Sequence, residues 1–154
     1  MRHWLFAFLV LACNAAPAQS LSPSQAQSAV FALSAWLESD HGDADELAAV
    51  LRFGQSVVPS LSAALSAGPS AARRTRLRNA LETSYTAQKS ASASREQYVQ
   101  HYMGNFEALY RVRAAQALAA LNGPAARDAI RRSMESEKRE DVRATLKELL
   151  EQMK

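Results

Sequence analysis

Residues with β-branched side chains are scarce in this chain. Val, Ile and Thr together account for 13 of its 154 residues, whereas Ala occurs 31 times, Leu 18 times and Ser 17 times. Because pleated sheets are filled mainly by β-branched and aromatic side chains, this composition excludes a large β-sheet. It favours short helices that pack closely through Ala and Leu. The sequence therefore predicts an all-α protein, and its length suits a single domain.

Motifs of catalysis and cofactor binding are also missing from the sequence. It contains no G-x-S-x-G elbow, no Walker loop and no G-x-G-x-x-G turn. His41 and His101 are far apart, and neither stands in an H-E-x-x-H arrangement. We therefore expect a protein that is not an enzyme and that binds no cofactor and no metal. A hydrolase built around one of these histidines is the least favoured alternative.

Acidic residues are densest between positions 40 and 46, which contain Asp40, His41, Asp43, Asp45 and Glu46. One interpretation is a cation site in a loop, because hard cations take oxygen ligands, although the spacing does not match an EF-hand loop. The favoured interpretation is a capping box at a helix start, with Asp43 followed three residues later by Glu46.

Long apolar runs are lacking, and the one near the N-terminus has the form of a targeting signal. Trp4–Ala12 is uncharged and too short for a membrane-spanning helix, which needs about 20 residues. Arg2 precedes it, and the small residues Ala16 and Ala18 follow it. This pattern is typical of a secretory signal peptide, residues 1–18. We therefore expect residues 19–154 to form a helical domain in the periplasm.

The only cysteine allows a second interpretation of the same segment. Leu9-Val10-Leu11-Ala12-Cys13 resembles a bacterial lipobox, in which the cysteine is lipidated and becomes the new N-terminus. Leu11 is not the favoured small residue at its position. The alternative to a soluble periplasmic protein is therefore a lipoprotein anchored through Cys13. Neither interpretation leaves a disulfide or a catalytic thiol in the mature protein.

Basic residues are concentrated in the second half of the chain. Residues 19–70 carry a net charge of −4, and residues 71–154 carry +6. Four arginines crowd one predicted helix with no acid between them: Arg73, Arg74, Arg76 and Arg78. Clustered arginine attracts anionic partners, so these four are candidate binding residues, and a solvated helix face is the alternative. Nucleic acid is not expected as a partner of an exported protein.

Aromatic residues recur every four positions at Tyr98, Tyr102, Phe106 and Tyr110, which makes one stripe along a continuous helix. The favoured interpretation is a core seam, because Tyr can bury its ring and leave its hydroxyl in water. The alternative is a platform for a peptide or glycan, with Tyr98 and Tyr102 as candidate binding residues.

Apolar spacing and turn residues divide the domain into about six to eight short helices. Gly68-Pro69 and Asn122-Gly123-Pro124 are expected to separate helices. Residues 71–84 are predicted to be one helix, with Leu77, Ala80 and Leu81 facing inward. Residues 95–103 and 106–121 are predicted to be two helices, broken or kinked at Gly104-Asn105. Ser84–Ser94 is rich in Ser and Ala and is expected to be a loop or a frayed helix start, so the segment from about 84 to 105 is predicted to be irregular.

Internal repeats are expected when short helices of similar length alternate with brief turns. Val112-Arg113-Ala114-Ala115 recurs 30 residues later as Val142-Arg143-Ala144-Thr145. A second correspondence, at an offset of 69, places Gly54 on Gly123 and aligns the apolar positions that follow. The shared glycine and the constant gap favour a repeat over chance similarity between amphipathic helices.

These residues resemble the HEAT repeat family in its short bacterial form. Gly54-x-x-Val57-Val58-Pro59-x-Leu61 is similar to the opening of a repeat's second helix, and residues 112–118 are similar to the first-helix consensus. The resemblance covers residues 43–153 and implies a right-handed α-solenoid of antiparallel helices that binds other macromolecules. It implies no catalytic residue. At the repeated first-helix position, Arg113 and Arg143 are expected to bond carbonyls or acids between repeats.

The sequence thus predicts an exported HEAT-like repeat protein that acts as an interaction module or adaptor for a protein in the bacterial envelope. The alternative is a binder of an anionic polymer or lipid head group through residues 73–78. End-to-end self-association is a further expectation, because the two halves of the chain have opposite charges. A cytoplasmic protein that binds nucleic acid is a further alternative only if residues 1–18 are not a signal peptide.

The mature protein should begin at Gln19. Cleavage after residue 18 removes the apolar segment, so the N-terminal peptide isolated from the native host should start there. Mass spectrometry of that peptide is the measurement. A lipid-modified Cys13 would support the lipoprotein alternative, and an intact Met1 would contradict export.

Overall fold

The computed structural model describes residues 21–39, 41–87 and 94–153 of the chain. These residues form seven α-helices, are 86% helical and include no strand, so the all-α prediction is confirmed. The helices are α1 (Pro23–Glu38), α2 (Ala44–Leu51), α3 (Val58–Ala67), α4 (Ala71–Ala87), α5 (Arg95–Leu121), α6 (Pro124–Ser136) and α7 (Glu140–Gln152). A short 3₁₀ helix, Gly54–Val57, leads directly into α3.

Several features predicted from the sequence lie outside the described residues. They are the signal peptide with Cys13, Asp40 of the acidic cluster, and residues 88–93 of the irregular segment. Within the described ranges, no single helix is both long and apolar enough to cross a membrane. The helix α2 and residues Gly54–Ala67 reach that length and composition only as a pair bent by 102°.

Side chains at the helix starts satisfy backbone N–H groups that have no partner inside the helix. Ser22 and Gln25 form a reciprocal capping box at the start of α1, with Pro23 in the first turn. Asp43 caps α2, but its carboxylate accepts the N–H of Asp45, at 3.1 Å, rather than that of Glu46. The acids of this cluster therefore act at a helix start.

The helix α5 differs from its prediction because it runs without a break through Gly104-Asn105 for 27 residues. A glycine in a helix interior costs about 1 kcal/mol relative to alanine, which tertiary contacts can offset. Here α4 packs against α5, and Arg139 Nη1 donates a hydrogen bond to the carbonyl of Gly104 at 2.7 Å. The predicted break was wrong because these contacts come from residues distant in sequence.

Two predicted apolar faces also differ from the structure. The helix α4 extends to Ala87 and buries no residue completely; Leu77 and Leu81 are half-buried, and Ala80 is exposed. In α1, helical spacing predicts that Val30 shares an inward face with Leu33 and Leu37, yet Val30 is 62% exposed while those two are buried. Apolar spacing could not show how much of each face a neighbouring helix covers.

The C-terminal part of α5 lies at the centre of the core. Ala114, Ala115, Ala117 and Leu118 are fully buried in the main hydrophobic cluster. The helix α5 contacts α1, α2, α3, α6 and α7 as well as α4. Small side chains let several helices approach one helix closely, and interiors are packed so tightly that added volume is costly.

The two helices α3 and α6 pack against each other, and each also packs against α5. Where the 3₁₀ helix meets the turn after α5, Gln55 Nε2 donates to the carbonyl of Leu121 at 3.2 Å. A Cβ atom at Gly123 would lie 2.9 Å from the end of the exposed Gln55 side chain, so a larger residue there would displace that side chain and its hydrogen bond. This contact fixes the turn after α5 against the start of α3.

The helix α1 is held on α5 by Trp36 and Arg113. Trp36 Nε1 donates to the carbonyl of Arg113 at 2.9 Å, and Arg113 Nη1 donates to the carbonyl of Trp36 at 3.4 Å. The guanidinium also lies 5.2 Å from the centre of the indole ring, and Arg113 is only 3% exposed. Arg143, by contrast, is exposed and pairs with Glu140 on its own helix.

Ala114→Leu should destabilise the fold by about 1–3 kcal/mol, because the larger side chain must fit among fully buried neighbours. Ala120→Leu is the control, since it places the same change at an exposed position of the same helix, and its effect should stay within about 0.5 kcal/mol. Urea unfolding followed by circular dichroism measures both free energies. Equal effects of the two substitutions would show that α5 is not packed as described.

Candidate interaction surface

The helix α4 and residues 95–110 of α5 form an antiparallel pair, which we call the arm. Near one end of the arm, Arg95 Nη2 lies 2.8 Å from Glu82 Oε2. Near the other end, Arg74 Nη1 lies 4.0 Å from Glu107 Oε1. The residue numbers of these two pairs run in opposite directions along the two helices, which shows that α4 and this part of α5 are antiparallel.

Burial in the arm is separate from burial in the rest of the protein. Val99 and Met103 are buried, yet they lie outside the main hydrophobic cluster. Both belong to the part of α5 against which α4 packs. Because α4 buries no residue completely, most of its surface faces water. The exposed side chains of both helices of the arm are therefore available for contact with a partner.

The four candidate arginines of α4 occupy different environments. Arg73 Nη2 lies 2.5 Å from Glu38 Oε2, at the end of α1. Its guanidinium is also 6.0 Å from the centre of the Phe106 ring. Arg73 therefore joins the arm to α1. In the sequence, the first acid after these arginines is Glu82. In the structure, acids of other helices lie beside two of them, Arg73 and Arg74.

The other three arginines face water or a groove. Arg74 and Arg78 line a cavity of about 380 Å³ between the two helices of the arm, which we call the arm groove. Its lining residues are Ala71, Arg74, Thr75 and Arg78 from α4, and Gln100, Met103, Gly104 and Glu107 from α5. Arg76 is exposed and does not line the groove. No carboxylate in the described ranges lies within 4.0 Å of Arg76 or Arg78.

The aromatic stripe divides into an outer and an inner half. Tyr98 and Tyr102 have ring centres 4.6 Å apart, and Tyr102 is 48% exposed. Tyr85 of α4 extends this outer group, with its ring 5.5 Å from that of Tyr98. Tyr110, in the inner half, packs against the main core. The outer half of the stripe therefore offers a surface for contact, and the inner half is a seam inside the fold.

Sequence reasoning missed Tyr85 because no periodic pattern on α4 points to it. The antiparallel pairing of the arm brings it to Tyr98, and pairing the two predicted helices around the Ser/Ala-rich segment could have found it. His101 lies beside this group, with its ring 5.4 Å from that of Tyr102, and its Nε2 is 3.1 Å from Asn105 Nδ2. His41 is exposed in the turn before α2.

Metal ligands do not converge in the part of the chain that the structure describes. No group of three His, Cys, Asp or Glu side chains there is placed to hold an ion. Of the acidic cluster, the Asp43 carboxylate accepts the backbone N–H of Asp45 at the start of α2, and Asp40 lies outside the described residues.

The Glu38–Arg73 pair, which joins the arm to α1, influences the pKa of the nearby Tyr110. Burial raises the pKa of Tyr110 above its ordinary value of 10.0, and the Glu38 carboxylate raises it further. The Arg73 guanidinium acts in the opposite direction and lowers it. Tyr110 therefore reports on both members of the pair, because its phenolate would be repelled by one and attracted by the other.

Comparisons with known proteins do not identify the chain: no protein-family model matches it, and neither a curated protein nor a solved structure is significantly similar to it. The function must therefore be argued from the arm and from the arrangement of the helices.

Neutralising the two members of the Glu38–Arg73 pair should move the pKa of Tyr110 in opposite directions. Glu38→Gln should lower it and Arg73→Gln should raise it, because the first removes a repelling charge and the second an attracting one. An NMR titration of labelled tyrosine rings measures both. Glu107→Gln, a nearby change that leaves the pair intact, should have no effect. Shifts of the same sign in the two variants would contradict this arrangement.

Proposed function

We propose that this chain is an exported HEAT-like repeat module that binds an acidic protein of the bacterial envelope through the arm. It acts as an adaptor and has no catalytic role. The observation that carries the proposal is the arm, in which two arginines, Arg76 and Arg78, have no carboxylate partner among the described residues and the exposed Tyr102 lies on the same pair of helices.

Some contacts between the helices support the proposal of a HEAT-like solenoid, for which the family resemblance implies a right-handed superhelix. The sequence offset of 69 that places Gly54 on Gly123 also places α2 on the C-terminal part of α5, α3 on α6, and α4 on α7. In stacked repeats, corresponding helices of neighbouring repeats contact one another. Here α2 contacts α5 and α3 contacts α6, and α7 contacts α5, which it matches at the offset of 30, whereas α4 packs against α5 and not against α7. Two of the three helix pairs that correspond at the offset of 69 therefore pack against each other.

The composition of the arm suits a protein partner. Tyrosine and arginine are enriched among the residues that contribute most to binding at protein interfaces. The arm presents Tyr98 and Tyr102 together with Arg74, Arg76 and Arg78 on elements held by regular hydrogen bonding. Arg73 is excluded from direct binding because Glu38 already pairs with it. An acidic partner is favoured by the excess of positive charge.

An anionic polymer or a lipid head group is the second candidate. The observation that favours it is the absence of a carboxylate partner for Arg76 and Arg78 in the described part of the chain. Binding of this kind would rest on charge alone, so it should weaken steeply as salt increases. A protein interface that also uses the tyrosines should depend on salt less.

Charge reversal in the arm should abolish capture of the partner. Arg74→Glu combined with Arg78→Glu should remove binding, because the arm would then repel an acidic surface. Arg131→Glu with Arg132→Glu is the matched control, since it reverses two exposed arginines on α6. The measurement is cross-linking and affinity capture in the native host, read by mass spectrometry.

A second pair of variants tests the tyrosines without changing charge. Tyr102→Ala should weaken capture, whereas Phe31→Ala, which removes an aromatic ring 71% exposed on α1, should not. One envelope protein lost only with the arm variants would support the proposal. Equal losses with the α6 control, or enrichment of the chain's own copies alone, would overturn it in favour of charge-driven binding or self-association.

A further inference from the structure

We propose that the arm groove receives an acidic helix of the partner whose carboxylates lie one helical turn apart. This inference rests on the proposed function and assigns the chemistry of its ligand. Arg74 and Arg78 are the residues that would bind the two carboxylates. Arg73 is already paired with Glu38, and Arg76 does not line the groove.

The spacing of the two arginines sets the spacing of the ligand's charges. Arg74 and Arg78 are four residues apart on α4, so their side chains leave the same face of the helix about 5–6 Å apart at Cβ. Both line the arm groove. Glutamates four residues apart on a ligand helix have the same separation. A helix lying along the groove can therefore offer one carboxylate to each guanidinium.

The shape of the groove admits side chains from another helix. Ala71 and Gly104 are small, so the two helices of the arm leave an open space between them, and the buried Met103 forms part of its apolar lining. Thr75 and Gln100 add polar groups on the two sides of the groove. An apolar base with polar edges is typical of the grooves that bind amphipathic helices.

The charges in the groove leave one arginine unsatisfied. Arg74 lies 4.0 Å from Glu107, at the limit of an ion pair, and both side chains are partly exposed. Arg78 has no carboxylate partner in the described ranges. A ligand carboxylate next to Arg78 would give that guanidinium an ion-pair partner, whereas a carboxylate next to Arg74 would compete with Glu107. Arg78 should therefore contribute more to binding than Arg74.

The experiment uses a defined probe and a matched variant. The probe is a synthetic helical peptide with glutamate at every fourth position, and its control has the same composition with the glutamates at consecutive positions. Binding to the purified protein is measured by calorimetry and by fluorescence anisotropy. Arg78→Gln is compared with Arg76→Gln, because both remove one exposed, unpaired arginine from the same helix and only Arg78 lines the groove.

Arg78→Gln should weaken binding of the spaced peptide about fivefold, Arg74→Gln should weaken it less, and Arg76→Gln should leave it unchanged. The control peptide should bind more weakly than the spaced one. Equal losses with Arg76→Gln and Arg78→Gln would overturn the inference, since they would show attraction by net charge alone. Circular dichroism of each variant checks that α4 remains folded.

Inorganic phosphate provides the remaining test. If phosphate binds and the spaced peptide does not, the groove takes isolated anions, and the inference is wrong. Failure of the peptide would leave the proposed function standing as long as capture of the envelope protein still depends on the arm. If the peptide still binds but capture of the envelope protein does not depend on the arm, the proposed function is wrong, whereas the inferred specificity of the groove stands.

Discussion

The close packing of helices around the C-terminal part of α5 is the constraint on which the rest of the structure depends. Fully buried alanines at 114, 115 and 117 let several helices share one neighbour. A helix this crowded at one end has little surface left there for a partner. Its other end packs chiefly against α4, so the available surface of α5 is concentrated in the arm.

Attachment of the arm follows from the same geometry. The connection from α3 passes through Gly68, which has a positive φ of 69°, and α4 begins three residues later. The pair between Arg73 and Glu38 fixes the near end of α4 to α1. Arg74, the next residue, lies 4.0 Å from Glu107 of α5 and lines the arm groove with Arg78. The direction in which each arginine leaves α4 therefore separates the structural Arg73 from the two that face the groove.

Much of the local structure could be predicted from the sequence. The start of α1 at Pro23 and the separation of α5 from α6 at Asn122-Gly123 depend on capping and turn residues, which act on their immediate neighbours. The break at Gly104 was predicted wrongly by the same reasoning. A glycine weakens a helix only modestly, and contacts with α4 and Arg139 decide the outcome.

The sequence by itself determined the helical class, most helix ends and the uneven distribution of charge, because these depend on composition and on residues close in the chain. Only the tertiary structure decided which charges are free. Arg113 and Arg143 occupy matching sequence positions, yet one is buried against Trp36 and the other is exposed. Arg73 and Arg78 differ in the same way. The reason is physical: the partner of a charged side chain comes from whichever distant helix packing brings within reach.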